Sequence, residues 1–156
     1  MIDLRRDIDL PAPAGDVWAA LWDVPALARC IPGCGDVETI EEGRRYRATI
    51  RDKVGPFRIG VLLEVSVDPS PPTTLAVSAT GRDSVLGSPV SVDLMVTLDA
   101  RGAGTRLSIA GRGDVGGKLA TLGQAVIQRK SKNVLDQFAL NLEQRLRAGS
   151  DGASSV

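Results

Sequence analysis

Histidine is absent from this chain of 156 residues. With it go the Ser/His/Asp and Cys/His nucleophile systems, histidine metal ligands and the usual proton shuttle near neutral pH. Cysteine is nearly absent: Cys30 and Cys34, in CIPGC, are too few for a disulfide scaffold or for a four-ligand metal site without partners. They read as small buried or half-buried residues. Neither sign of charge dominates, since 19 basic side chains balance 19 acidic ones, so no electrostatic footprint for nucleic acid exists. No apolar run approaches the ~20 residues that span a bilayer. The opening MIDLRRDIDLPAP lacks the hydrophobic stretch of a signal peptide, and a cytoplasmic protein is expected. Aromatic residues are scarce too: two Trp, one Tyr and two Phe. Inward strand positions are therefore left to Val, Ile, Leu, Ala and Gly, a lining that leaves room for unfilled apolar volume without establishing a cavity.

What remains suits one folded domain. At 43% hydrophobic and 24% charged residues, the chain can hide about two-thirds of its unfolded surface. Ile2, Leu4, Ile8 and Leu10 alternate as a strand, and PAPAGD then supplies turn residues with Asp16 as an N-cap candidate. VWAALWDVPALARCI has helical spacing that Pro25 splits into two short helices. From Val37 the period becomes two. Tyr46, Ala48 and Ile50 alternate with Arg47, Thr49 and Arg51, and beyond the VGPF turn Ile59, Val61, Leu63, Val65 and Val67 follow the same rule. Later runs at 75–81, 90–98 and 106–115 bring the expected total to about seven strands, joined by connections short enough for a meander. A helix is expected from Lys118 to about Arg147. Its apolar stripe drifts from Leu119, Leu122, Gly123, Val126, Ile127, Lys130 and Val134 towards Leu135, Phe138, Leu142 and Leu146. Such drift requires curvature or two different surfaces beneath the two halves. The expected domain is 1–147, with a polar, disordered tail over 148–156.

Two glycine patterns fail on inspection. GRGDVG at 111–116 fits Gly-x-Gly-x-x-Gly, yet no later strand completes a βαβ unit. GDVGGK is not a phosphate loop, because Arg112 stands where the first glycine belongs and Leu119 where Ser or Thr should follow Lys118. Arg112-Gly113-Asp114 spells an adhesion tripeptide that is uninformative inside a strand. Geometry accounts for Gly111, Gly113, Gly116 and Gly117, which allow a sharp bend and a close approach of helix to sheet. Gly123, read as one turn inside the helix, implies either a very near strand or a ligand. Lys130, inside the apolar stripe, either snorkels outward or meets a carbonyl, carboxylate or headgroup at a cavity wall.

Four stretches carry a family likeness: PAPAGDVWAAL, ALARCIPGC, the VGPF turn, and GDVGGKLATLG ahead of the final QF and Leu residues. Over roughly residues 2–146 the chain resembles the SRPBCC or START-like superfamily and, more closely, the CoxG-like family of carbon monoxide dehydrogenase proteins. That resemblance implies an α+β helix-grip fold, in which a curved antiparallel sheet wraps a long C-terminal helix over an apolar pocket. It implies a non-catalytic protein that binds a hydrophobic, lipid- or quinone-like molecule and serves a molybdenum hydroxylase of the carbon monoxide dehydrogenase type. A contact with the inner face of the membrane is left open, without a hydrophobic C-terminal anchor before Val156. No metal, flavin, nucleotide or nucleic acid is expected.

Two other readings stay open. One is a cavity enzyme of the polyketide cyclase or dehydratase type, for which Asp52 is the best buried-acid candidate, although it adjoins Lys53 and a turn and is expected at the surface. The other is a docking module for an oxidoreductase, using its short helices. Candidate lining residues begin with the aromatics Trp18, Tyr46 and Phe57, each core or rim, and with Ile50 and Val77 on the strands. The helix adds Leu119, Leu122, Gly123, Val126, Ile127 and Lys130, with Lys130 or Tyr46 fixing a polar head. Strand phase places Ile59, Val61 and Leu63 on the inner face with Val92, Leu94, Leu107 and Ile109, and Arg58 and Glu64 outside. Coordinates with those apolar side chains on the outer face would refute the register.

Overall fold

Alternation with period two produces seven strands, and the short polar turns between them dictate antiparallel pairing. The computed structural model describes residues 1–154, with side chains through residue 148. The chain runs β1 (Ile2–Leu10), α1 (Ala14–Leu21), α2 (Val24–Arg29), β2 (Cys34–Glu41), β3 (Arg45–Val54) and β4 (Phe57–Ser70). It continues through β5 (Thr74–Asp83), β6 (Pro89–Arg101), β7 (Gly104–Val115), a 3-10 segment Gly117–Leu122 and α3 (Gln124–Ser154). The strands form one sheet in the order β1-β7-β6-β5-β4-β3-β2. From β2 to β7 it is a meander. The helical pair α1–α2 carries the chain from one sheet edge to the other. The expected disordered tail falls mostly on residues whose side chains or placement lie outside the described set.

Three local expectations need correction. Pro13, not Asp16, is the N-cap of α1; Asp16 sits in the first turn, where a carboxylate still favours the positive end of the helix dipole. The terminal helix does not begin at Lys118. The 3-10 segment ends at Gly123, whose φ of 92° breaks the helical path, and α3 starts at Gln124. Gly123 is therefore a hinge between two helical pieces, and its lack of a Cβ serves the backbone angle instead of a packing gap.

One side of the sheet is the inner face. Leu10, Leu98, Leu107 and Ile109 are buried there with Val17 and Leu21 of α1 and Ala139 and Leu142 of α3. Phe138 and Leu146 pack against this cluster, so the drift of the helical stripe reflects a second half that reaches true core. At Gly111 the sheet bends sharply enough that a Cβ would collide with the Asp93 carbonyl oxygen, so only glycine fits. On the outer face Arg106 grips Asp9 at 2.8 Å. The hydrogen bond from that guanidinium holds the Asp9 carboxyl below its usual range, though such an exposed pair adds little stability.

The loop between β5 and β6 is organised by Asp83, 1% exposed. Its carboxylate accepts the Gly60 N–H at 2.8 Å and the Leu86 N–H, so a buried charge is satisfied by backbone donors in place of a cation. Ser88, at the end of the same loop, accepts the Leu119 N–H at 3.0 Å through Oγ and so fastens the 3-10 segment. Asp83→Ala is expected to cost about 3 kcal/mol in urea unfolding, and a loss below about 1 kcal/mol would mean that solvent replaces the carboxylate. Gly123→Ala is expected to cost about 1–2 kcal/mol by the same measurement, although nothing lies within 4 Å of the added Cβ; an unchanged stability would refute the hinge.

Candidate functional site

Pairing register decides which side chains can meet under α3. Ile50 lies opposite Val61 and Asp52 opposite Ile59, while Ala48 pairs with Leu63. Val77 faces Leu94 across β5–β6, and Val92, Leu94, Val96 and Leu98 pair with Gly113, Gly111, Ile109 and Leu107. All of these belong to the inner face, as the strand phase requires, and Arg58 and Glu64 are exposed on the other. The face is not uniformly covered. Leu107 and Ile109 are buried beneath the second half of α3, whereas Ile50, Ile59, Leu63, Val92 and Leu94 are only half-buried.

The helix explains the difference. Its backbone runs close along β1 and stands off β3–β6, held to β1 by Gln124 and Gln128 side chains that donate to the Met1 and Asp3 carbonyls at 2.8 and 2.7 Å. The first half of α3 presents Val126, Lys130 and Val134, spaced i, i+4 and all half-buried, across a floor that includes Ala48, Ala79, Gly81 and Gly113. Small floor residues under a helix held at a distance leave an apolar cleft that neither layer fills.

One ionic contact crosses it. Lys130 Nζ lies 3.0 Å from Asp52 Oδ2, with side chains 34% and 24% exposed, and Asp52 Oδ1 accepts the Lys53 N–H at 2.7 Å. Asp52 is thus not the surface residue that its neighbours suggest, and Lys130 meets a carboxylate instead of snorkelling into solvent. Each stands at an apolar phase in its own element; their partnership spans 78 positions of sequence and has no local signature.

Other candidates sit at the margins. Tyr46 is buried, and its hydroxyl oxygen accepts the Gly43 N–H at 2.7 Å in the β2–β3 turn. Trp18 packs against the core, edge-on to Trp22 with ring centroids 5.9 Å apart. Phe57 lies at the β3–β4 turn with Lys118 Nζ 5.7 Å from its ring centre. Leu119 is buried, and Leu122 lies against Gly55. Gly123 is exposed. Ile127 borders a hollow of about 150 Å³ with Ile2, Val115 and Ala120, where α3 begins. Cys34, missed as a lining residue, lies opposite Ile50 on β2; the register shifts that follow it hide the strand phase.

A larger concavity, about 600 Å³, occupies the outer face around Ser66, Ala76, Ser78, Met95 and Arg112. It is a broad open saddle on the side away from α3. We assign the site to the inner cleft because polar and apolar groups converge there from two layers. Among the described residues no cluster of His, Cys, Asp or Glu could hold a metal ion, and no helix is long and apolar enough to cross a membrane.

A family model for CoxG, one of the component chains of carbon monoxide dehydrogenase, matches residues 7–147. Among solved structures, a conserved protein from Geobacillus kaustophilus superposes with a TM-score of 0.85 at 23% identity, over 94% of this chain and 96% of that one. A START superfamily protein from Mycobacterium smegmatis gives 0.69 at 12% identity, covering 94% and 97%. The Zhui aromatase/cyclase from Streptomyces sp. R1128 gives 0.60 at 15%, covering 96% and 93%. At these identities the likeness is one of fold, the START/SRPBCC helix-grip architecture. No curated protein matches significantly.

Burial pushes both thiols above their ordinary range, Cys30 in the core and Cys34 beside the cleft. Thiolate is the reactive form. Iodoacetamide at mildly alkaline pH is therefore expected to label both residues at least about tenfold more slowly in the folded protein than in urea; labelling of Cys34 at the unfolded rate would contradict its shielded position.

Proposed function

Since the chain belongs to the CoxG family of carbon monoxide dehydrogenase proteins, we propose that it binds a hydrophobic, lipid- or quinone-like molecule without transforming it, as accessory to a molybdenum hydroxylase of the carbon monoxide dehydrogenase type. The observation that carries this reading is the half-buried apolar lining of β3–β6 beneath the first half of α3. Apolar surface held partly open within a fold is an unfinished core that a guest completes. Each methylene taken from water into such a cleft contributes about 0.8 kcal/mol, so a chain or ring system supplies affinity and the Lys130–Asp52 pair orients its polar end. The oxygen of Tyr46 is already engaged by its turn, which leaves the head-fixing role to the pair. A catalytic reading would need an acid or base free to move a proton. The inward groups Lys130 and Asp52 instead neutralise one another.

Native mass spectrometry of protein purified from its own host, followed by organic extraction, tests this reading directly. A co-purified isoprenoid or acyl molecule is the expected result, and a clean apo mass with no uptake of added apolar probe would overturn it. Val92→Trp, which fills the floor, is expected to lower apolar-probe affinity about tenfold or more while changing stability by less than about 1 kcal/mol. Unchanged probe binding by the folded variant would place the site elsewhere.

A further inference from the structure

We propose that the Lys130–Asp52 pair makes the cleft selective for a neutral, oxygen-bearing headgroup over a carboxylate; this rests on the cleft being the ligand site. The argument is one of charge count. A lone lysine on an apolar wall would attract an acid. Here the ammonium already has a carboxylate at 3.0 Å, and the pair is half-buried, where solvent screens it poorly. A second carboxylate brought to the same ammonium would set two like charges around one cation, which raises the cost of keeping both ionised.

Displacing Asp52 does not relieve this conflict cheaply. Its Oδ1 is fastened to the Lys53 N–H at 2.7 Å, so the carboxylate is held in place at the end of β3. The other charged groups on this side are committed elsewhere. Arg6 pairs with Asp136 at 3.3 Å along the β1–α3 seam, and Asp83 is enclosed by backbone donors. A hydroxyl or carbonyl meets no such penalty. The remaining N–H bonds of Lys130 can donate to its oxygen, and the free lone pairs of Asp52 can accept from a hydroxyl, leaving the net charge of the site unchanged.

Displacement of Nile red by dodecanol and by dodecanoate, two probes with the same tail, tests the selectivity. In the wild-type protein dodecanol is expected to compete at a concentration at least about tenfold lower. Asp52→Asn keeps the shape and frees the ammonium, so dodecanoate should gain about tenfold or more while dodecanol moves by less than about threefold. The exchange Asp52→Lys with Lys130→Asp restores a balanced pair and should restore the preference for the alcohol; it also decides the matter if the single variant fails to fold. Equal competition by the two probes in the wild type, or an unchanged ratio in Asp52→Asn, overturns the selectivity and leaves the cleft as a binding site. Absence of Nile red binding altogether overturns the cleft as well.

Discussion

A single helix roughly 10 Å across has to serve a sheet roughly 30 Å wide. It cannot cover all seven strands, and the rest of the molecule follows from where it is placed. The sequence puts glutamines at positions 124 and 128, which tie the start of α3 to the β1 backbone. The second half then falls over β1, β7 and β6, where α1 supplies Val17 and Leu21 to complete a buried core. The first half leaves β3–β5 without a lid. The stability of this fold and its capacity to hold a guest are therefore divided between two ends of one inner face.

That division explains the distribution of polar groups. Where layers meet, polar atoms are consumed by structure: Asp83 by backbone N–H groups, Ser88 by the 3-10 segment, Thr105 by the Ala12 carbonyl at 2.8 Å. Where the layers stand apart, two opposite charges reach across the gap and meet. An ion pair of this exposure contributes modestly to stability; its larger effect is to fix the electrostatic character of an otherwise apolar wall.

Much of the fold was legible because period-two alternation is dense from β3 to β7, and inner-face residues from Ile59 to Ile109 could be phased without coordinates. The helical stripe likewise announced two different surfaces. The hinge at Gly123 was not legible, since a left-handed backbone angle leaves the same letter in the sequence as a packing gap. β2 was only partly legible, its register shifts breaking the pattern after Cys34. The site was legible as a set of apolar positions and as two odd charges, Lys130 and Asp52. Their pairing depended on how far α3 stands from β3, a tertiary distance that no local pattern encodes.

The edge strand β1 pairs with β7 in a register that joins Ile2 to Gly113, while every other pairing in the sheet is between strands consecutive in sequence. During synthesis at ordinary ribosomal rates, the N-terminal strand waits on the order of ten seconds for its partner to be made. Over that interval Ile2, Ile8 and Leu10, all buried in the finished fold, have no sheet to join. The hairpins of the meander can form locally, but closing the β1–β7 ladder spans most of the domain and sets a high contact order. The first strand to leave the ribosome is thus among the last to find its place, and α3, which rests on that strand, must wait with it.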